Sequence, residues 1–432
     1  MQHIFKKTLL VSALSMAIAP AAYATNGLAP IGIGQAQKAM GGTGVGNPQN
    51  TMSIATNPAS ASFISDGYDV ELELFKPDRL TTRKALPPAQ GGTPSVDYDG
   101  NEKPLFFVPG GGYKRTINDK YSFGLAVYGN GGMNTEYKGG PTFISGGDPG
   151  FPPAGTVIPL SASGKNTGIN LEQLFIAPTL GVKLNERHSI GLSANLVYQR
   201  FEATGIGSLA GFSSDNTNFT NNGVSSATGI GATIGWMGKF SDGFTAGASY
   251  RLKTKMGKFK KYAGLFSDQG RLDVPAALTV GFSKRVSSKT EVSADIQKIF
   301  YSDVNAIGNP ATPSATNPLG GTNGPGFGWS DQTVIKLGVK HQVNPKLALM
   351  GGFNYGDSPV GPEDTFFGSL APAVVEQHVT LGLEYKLSKK SSIIGQYRHA
   401  FSNTVKGDLI QKQPFDLTMS QDALGFSYSK QF

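Results

Sequence analysis

Residues 189–199 read Ser189-Ile190-Gly191-Leu192-Ser193-Ala194-Asn195-Leu196-Val197-Tyr198-Gln199. Ile190, Leu192, Ala194, Leu196 and Tyr198 share one parity, while Gly191, Ser193, Asn195 and Gln199 share the other. A period of two with small or polar residues between hydrophobes is the signature of a strand that faces two different environments. Upstream, Ile176, Leu180, Val182 and Leu184 prepare a partner strand, and the polar turn Asn185-Glu186-Arg187-His188 joins the two. The same unit recurs. Ile230, Ala232, Ile234 and Trp236 precede Ser241-Asp242-Gly243, and Phe244, Ala246, Ala248, Tyr250 and Leu252 follow it. Leu337 and Val339 lead to Asn344-Pro345-Lys346, then to Leu347, Leu349 and Phe353.

Extended along the chain, this pattern gives strands near residues 68–76, 104–115, 121–131, 169–184, 189–203, 229–240, 244–260, 273–286, 290–303, 331–343, 346–357, 377–388, 391–405 and 419–432. Fourteen is an even number, and tight turns follow every second strand. The other connections are long and rich in Gly and Pro. Many strands reach the roughly 9–11 residues that a tilted membrane strand needs. Short turns on one side and long loops on the other predict an all-β chain: an antiparallel 14-stranded transmembrane β-barrel over residues 66–432, turns towards the periplasm.

Composition agrees. The 432 residues hold 58 Gly and 26 Pro, only 16% are charged and 39% are hydrophobic, which is too little for a large soluble core. A barrel turns its hydrophobes outward to lipid and has no such core to fill. Lys6 and Lys7, the apolar stretch 8–19 and Ala22-Tyr23-Ala24 read as a secretory signal peptide over residues 1–24. There are no cysteines, so neither disulfides nor thiolate metal sites hold the exported fold. On the last strand Leu424, Phe426, Tyr428 and Phe432 share a face, and the terminal aromatic resembles the signal that barrel-assembly machinery reads in Gram-negative outer-membrane proteins.

Residues 25–65 do not alternate. They contain Ala39-Met40-Gly41-Gly42-Thr43-Gly44 and Asn57-Pro58-Ala59, with a short helix predicted over residues 35–40 and stopped by the glycine pair. Small residues of this kind fit inside a barrel, where backbone packs closely on a polar wall. These motifs, with Pro104-Leu105-Phe106-Phe107-Val108-Pro109, Val274-Pro275-Ala276-Ala277-Leu278-Thr279-Val280-Gly281, Ala294-Asp295-Ile296-Gln297-Lys298 and Asp357-Ser358-Pro359-Val360, resemble the FadL/TodX outer-membrane transporters of hydrophobic compounds. The resemblance covers the whole mature chain. It implies a barrel plugged by an N-terminal hatch with small helices. It also implies passive uptake of long-chain fatty acids or aromatic or aliphatic hydrocarbons, with lateral release into the membrane at a kinked third strand.

Within that frame Gly41, Gly42, Gly44, Asn57, Pro58 and Ala59 are the hatch motif. Gly129, Asn130, Gly131 and Gly132 are the expected kink, because glycines weaken a ladder and mark a bulge. Arg200 lies where fatty-acid members hold the carboxylate. The family's other basic partners have no counterparts near residues 303–308 or 360–367, so fatty acid and hydrocarbon both stay open. Arg251, Lys253 and Lys255 are expected to face the lumen opposite Asp69, Glu71 and Glu73, and Lys258, Lys260 and Lys261 to meet lipopolysaccharide phosphates at the outer rim. Phe426, Tyr428 and Phe432 form the assembly signal.

An enzyme is not expected. His378 and His399 sit on neighbouring strands without a nucleophile beside them, and Gly42-Thr43-Gly44-Val45-Gly46 lacks the preceding strand and following lysine of a nucleotide loop. No cofactor or metal is expected, and no nucleic acid, since the basic clusters lack interleaved aromatics. A monomer in the outer membrane is expected. The alternatives are a surface barrel that binds external partners through its loops, and a general porin, for which an N-terminal plug has no use.

Overall fold

The computed structural model describes residues 26–85, 92–144, 156–312, 316–408 and 414–432; the signal peptide expected over residues 1–24 lies outside them. The barrel strands, labelled β1 to β14 in chain order, are Gly67–Arg83, Phe106–Thr116, Tyr121–Tyr137, Thr167–Lys183, His188–Thr204, Ser225–Ser241, Phe244–Arg251, Ala277–Arg285, Thr290–Ile299, Gln332–Gln342, Leu347–Gly356, Gln377–Ser388, Ser391–Lys406 and Phe415–Gln431. Each pairs antiparallel with its sequence neighbours, and β14 closes on β1 from Gly67↔Gln431 to Arg83↔Phe415. A short segment, Val96–Asp99, adds to the outer end of β1.

The alternation has the physical origin the sequence suggests. Leu192, Leu196, Leu381, Leu424 and Phe426 are exposed on the outer surface, while Ser189, Ser193, Asn195 and Gln199 are buried inside. Lipid takes the first set and the polar lumen the second. On the side of the short turns, aromatic rings mark the membrane boundary. Phe432 lies 6.1 Å from Tyr68 and 6.2 Å from Tyr113, and Phe244 lies 5.7 Å from Phe240 and 6.1 Å from Phe282. The Phe432 N–H donates to the Asp66 carbonyl at 3.0 Å, tying the chain end to the start of the barrel.

Several strands differ from the sequence reading: β1 runs on to Arg83 instead of ending near residue 76, β8 starts at Ala277 instead of near 273, and β9 ends at Ile299 instead of near 303. The seventh ends at Arg251 rather than near residue 260, and beyond it only isolated bridges remain. Thr254 and Met256 turn inward there, against Gly231 and Gly229, whose missing side chains make the room. Lys253 and Lys255 are therefore exposed instead of facing the lumen. The third strand does not stop at the glycine run but continues to Tyr137.

Residues 26–66 lie inside the barrel. Helix α1, Gln35–Lys38, is capped by Ala39 and so stops short of the expected residue 40; Gly41 (φ 66°) and Gly42 (φ 85°) follow and turn the chain. A Cβ on Gly41 would sit 2.5 Å from the Leu337 carbonyl oxygen of the wall, and one on Gly42 2.0 Å from that of Ile31. Both positions demand glycine for conformation and for space. Helix α2, Ser53–Thr56, leads to Asn57, whose Oδ1 accepts from the Ala59 N–H at 3.1 Å and starts the 3₁₀ turn Pro58–Ser62.

Candidate functional site

Three parts make up the candidate site: a floor made by the hatch in the turn-side half of the barrel, an apolar interior above it in the outer half, and a break in the wall.

The floor is held by side chains that point inward from alternating strand positions. Glu71 accepts from the Gln35 N–H at 3.1 Å, Asp69 from the Thr51 N–H at 2.8 Å, and Asp295 from the N–H groups of Gly44 and Val45 at 2.8 and 3.1 Å. Glu73 pairs with Lys38 at 2.7 Å and with Arg398 at 3.3 Å, all three being buried. Lys336 donates to the Ile31 carbonyl at 2.7 Å, and Asn57 Nδ2 donates to Val45 O at 2.8 Å and to Trp236 O at 2.9 Å. Hatch backbone groups that no helix or strand satisfies thus find partners on the wall. The acidic face of β1, expected to balance the basic cluster of β7, instead binds the hatch. Asp295 and Lys336 were missed by the sequence reading, although both are charges at inward positions of apolar strands. Replacing Glu73 by Ala should cost about 3–5 kcal/mol of stability, because Lys38 and Arg398 stay buried without their carboxylate. A lower urea midpoint for loss of the heat-modifiable form checks this; an unchanged midpoint would show the network to be dispensable.

Above the floor the lining becomes apolar. Inward residues of the outer strand halves, among them Ile169, Leu171, Phe201, Val334 and Leu417, form one cluster with Phe259, Phe266, Trp329 and Leu370 of the outer loops and Leu28 and Ala29 of the hatch. Phe201 lies 4.6 Å from Phe266 and 4.9 Å from Tyr262, and Tyr301 lies 5.4 Å from Trp329. In the loop between β11 and β12, burial and the neighbouring Glu363 push the Asp364 carboxyl up to about 7, so this acid stays neutral in mildly acidic surroundings. The interior turns polar again at the hatch, where a cavity of about 50 Å³ is lined by Asn130, Arg251, Gln297 and Lys336 beside Ala29 and Pro30.

The wall break lies between β2 and β3. Their ladder runs from Thr116↔Ser122 to Gly110↔Tyr128. Beyond it, residues 106–109 of β2 pair only with β1, and residues 129 and 131–135 of β3 pair only with β4, among the described residues. At about 3.3 Å per residue the seam is unpaired for roughly 20 Å. Leu105 and Phe107 are exposed on its outer side. Above, residues 100–103 strap β1 to β3: Gly100 N–H donates to Arg79 O, Glu136 N–H to Gly100 O and Glu102 N–H to Glu136 O, at 2.9, 3.1 and 3.2 Å. The buried Arg79 guanidinium locks this strap, donating to Asn134 O at 2.6 Å, Asn134 Oδ1 at 2.8 Å, Lys103 O at 2.8 Å and Asn101 Oδ1 at 3.1 Å. The result is a framed window, with Val108, Gly129, Ile33 and Met52 around a cavity of about 20 Å³ at its foot.

A bulge in β3 explains why the ladder fails. Gly129 pairs with Leu174 and Gly131 with the next residue, Gln173, which leaves Asn130 as the inserted residue. A bulge bends its strand and increases the local twist. It also reverses parity: Ala126 and Tyr128 point inward below it, Met133, Thr135 and Tyr137 above it.

Residues 156–432 match the family described as outer membrane protein transport protein (OMPP1/FadL/TodX). The chain belongs to this family. Its fold is shared by the Pseudomonas putida toluene transporter TodX at 19% identity, with 93% of this chain and 99% of that one covered and a TM-score of 0.64. The Ralstonia pickettii toluene transporter TbuX matches at 22% identity, with 93% and 99% covered and a TM-score of 0.62. A FadL homologue of Pseudomonas aeruginosa matches at 15% identity, with 94% and 99% covered and a TM-score of 0.63. No curated protein is matched by sequence. This OMPP1/FadL/TodX member is accordingly a Gram-negative outer-membrane transport channel built on a closed 14-stranded barrel.

The expected site residues fall into distinct places. The hatch glycines and Asn57-Pro58-Ala59 lie at the floor, with Ser189 Oγ donating to the Ala59 carbonyl at 2.9 Å. Gly129, Asn130, Gly131 and Gly132 form one edge of the window. Arg200 does not reach the interior: it shares the parity of outward Tyr198 and pairs with Glu172 at 3.3 Å, and Phe201 takes the inward position at that height. The head-group role expected of Arg200 is therefore withdrawn. Lys258, Lys260 and Lys261 are exposed on the loop after β7. His378 points inward and His399 outward to Asp422 at 2.9 Å, so the two histidines do not meet.

Proposed function

We propose that this barrel takes up hydrophobic molecules, fatty acids or aromatic or aliphatic hydrocarbons, and releases them sideways into the outer membrane through the window between β2 and β3. The observation that carries the reading is the unpaired seam, which opens beside an apolar interior and above a hatch pinned to the wall. A hydrophobic solute gains roughly 25 cal/mol per Å² of apolar surface on leaving water for such an interior. Passing straight through would take it past Asp69, Glu71, Glu73, Asp295 and Lys336, where it gains nothing. Lateral release needs no energy source, because the bilayer is itself the favourable phase. The toluene transporters among the similar folds support hydrophobic cargo. A porin-like route would have to run through the hatch that the wall holds.

Mass spectrometry of lipophiles co-purified with the barrel, paired with uptake of labelled toluene and oleate by cells with and without it, tests the cargo class. Enrichment of lipophiles and faster uptake of at least one probe are expected; a barrel that carries none and transports neither contradicts the reading. Two partners belong to the same proposal. Lys258, Lys260 and Lys261 meet lipopolysaccharide phosphates, and the face of Phe426, Tyr428 and Phe432 is read by the assembly machinery. Removing Phe432 should lower the amount of folded barrel severalfold on a semi-native gel, and an unchanged amount would sink the assembly role.

A further inference from the structure

At the periplasmic end, each of the tight turns begins with an exposed apolar residue at a lipid-facing strand position: Ile117, Leu184, Phe240, Val286, Val343 and Leu387. In three neighbouring turns a base follows at the tip. Val286-Ser287-Ser288-Lys289 joins β8 to β9, Val343-Asn344-Pro345-Lys346 joins β10 to β11, and Leu387-Ser388-Lys389-Lys390 joins β12 to β13. In each, the oxygen of the short polar side chain accepts from the backbone N–H of the base, at 3.2 Å for Lys289, 2.9 Å for Lys346 and 3.1 Å for Lys390. The cap therefore repeats one placement, a cation three residues after an apolar side chain. Over residues 284–289, 343–346 and 386–390 the charged residues are seven Lys or Arg, all exposed, and no Asp or Glu. The whole chain carries only +8, so most of its excess charge sits on this arc. The other turns differ. Ile117-Asn118-Asp119-Lys120 and Leu184-Asn185-Glu186-Arg187 set an acid beside the base, and Ser241-Asp242-Gly243 has an acid and no base. None of the seven cations makes an ion pair among the described residues. The carboxylates close to the arc in sequence, Glu291 and Glu384, hold inward positions, and Glu384 pairs with Lys340 at 2.6 Å.

We propose that these three turns form a binding arc for anionic phospholipids of the periplasmic leaflet. Unpaired like charges this close repel one another, and a facing layer of anions relieves the repulsion. Val286, Val343 and Leu387 enter the acyl region, while the lysines, on long apolar stems, reach the phosphates at the same boundary. A soluble acidic partner would match the cations but not the apolar residues on the lipid-facing side. The arc is centred on β10 and β11, across the barrel from β2 and β3, so it works independently of the window and of what the barrel carries. It makes one part of the periplasmic rim select its lipid neighbours.

Native mass spectrometry of the barrel released from vesicles of equal phosphatidylglycerol and phosphatidylcholine tests this. The parent is expected to retain phosphatidylglycerol over phosphatidylcholine by about fivefold or more, the preference that one surface cation supplies. A variant with Lys284→Gln, Lys289→Gln, Lys346→Gln, Lys389→Gln and Lys390→Gln should retain both lipids equally, and the same five positions changed to Arg should keep the parent's ratio. Lys289→Gln with Lys346→Gln, confined to two adjacent turns, should lose part of the preference, so the question stays answerable if the fivefold variant assembles poorly. An equal ratio in the parent, or an undiminished one in both Gln variants, overturns the proposal. So does a preference that survives these changes but vanishes with Lys258→Gln, Lys260→Gln and Lys261→Gln, which would place the lipid contact at the outer rim. Binding of the parent to isolated peptidoglycan that the fivefold variant loses, with no lipid preference in either, would give the arc another partner and overturn the lipid assignment.

Discussion

A chain lacking Asn130 should assemble into a heat-modifiable barrel whose uptake of hydrophobic probes falls to the level of cells without it. The deletion is clean because of the register. Gly129 already pairs with Leu174 and Gly131 with Gln173, so joining them leaves a regular ladder in which Met133, Thr135 and Tyr137 keep their inward positions. Only the bend is lost. Without it β3 can continue alongside β2, and residues 106–109, unpaired on that side, gain the hydrogen bonds they lack. The wall would close where the window now stands, while the apolar interior and hatch remain. Binding in detergent should persist as uptake disappears. Uptake at the parent rate would show that the bulge is not needed for transport.

Removing residues 27–60 should have an equally large pair of effects. The barrel closes through its own ladder from β1 to β14, so it should still fold and shift on a semi-native gel. The lumen would lose its floor, and Asp69, Glu71, Glu73, Asp295 and Lys336 would be exposed to water along an open route. Single-channel recording should then show ion conductance that the full chain lacks. Hydrophobic uptake should drop to background, because Leu28 and Ala29 no longer complete the apolar interior and nothing directs cargo to the wall. Persistent hydrophobic uptake would remove the hatch from the mechanism.

The sequence exposed the barrel because lipid and lumen impose a period of two on every strand. Its limits were set by contacts between distant strands. Glycines 129, 131 and 132 announced a weak ladder, but that Asn130 is the inserted residue follows only from the register with β4. Asp69, Glu71 and Glu73 were legible as one inward face, and their partners were not, since backbone N–H groups of the hatch leave no trace in composition. The lysines after Arg251 alternate as a strand would, yet the chain leaves the sheet there and the alternation is surface chemistry. Arg200 was readable: it shares parity with Tyr198, and that alone places it outside. The strap locked by Arg79 had no signal, because Asn101 and Lys103 lie in a loop and Asn134 on β3, and they meet Arg79 only where β3 bends away from β2.

Closing the seam between β2 and β3 covalently shows whether cargo leaves through it. Phe107→Cys and Gly132→Cys, one on each side of the window in a chain with no other cysteine, can be bridged by a cleavable bifunctional thiol reagent. Bridging should abolish uptake of toluene and oleate while leaving their binding intact, and cleaving the bridge should restore uptake. Transport that continues at the unbridged rate through a fully bridged barrel would contradict lateral exit.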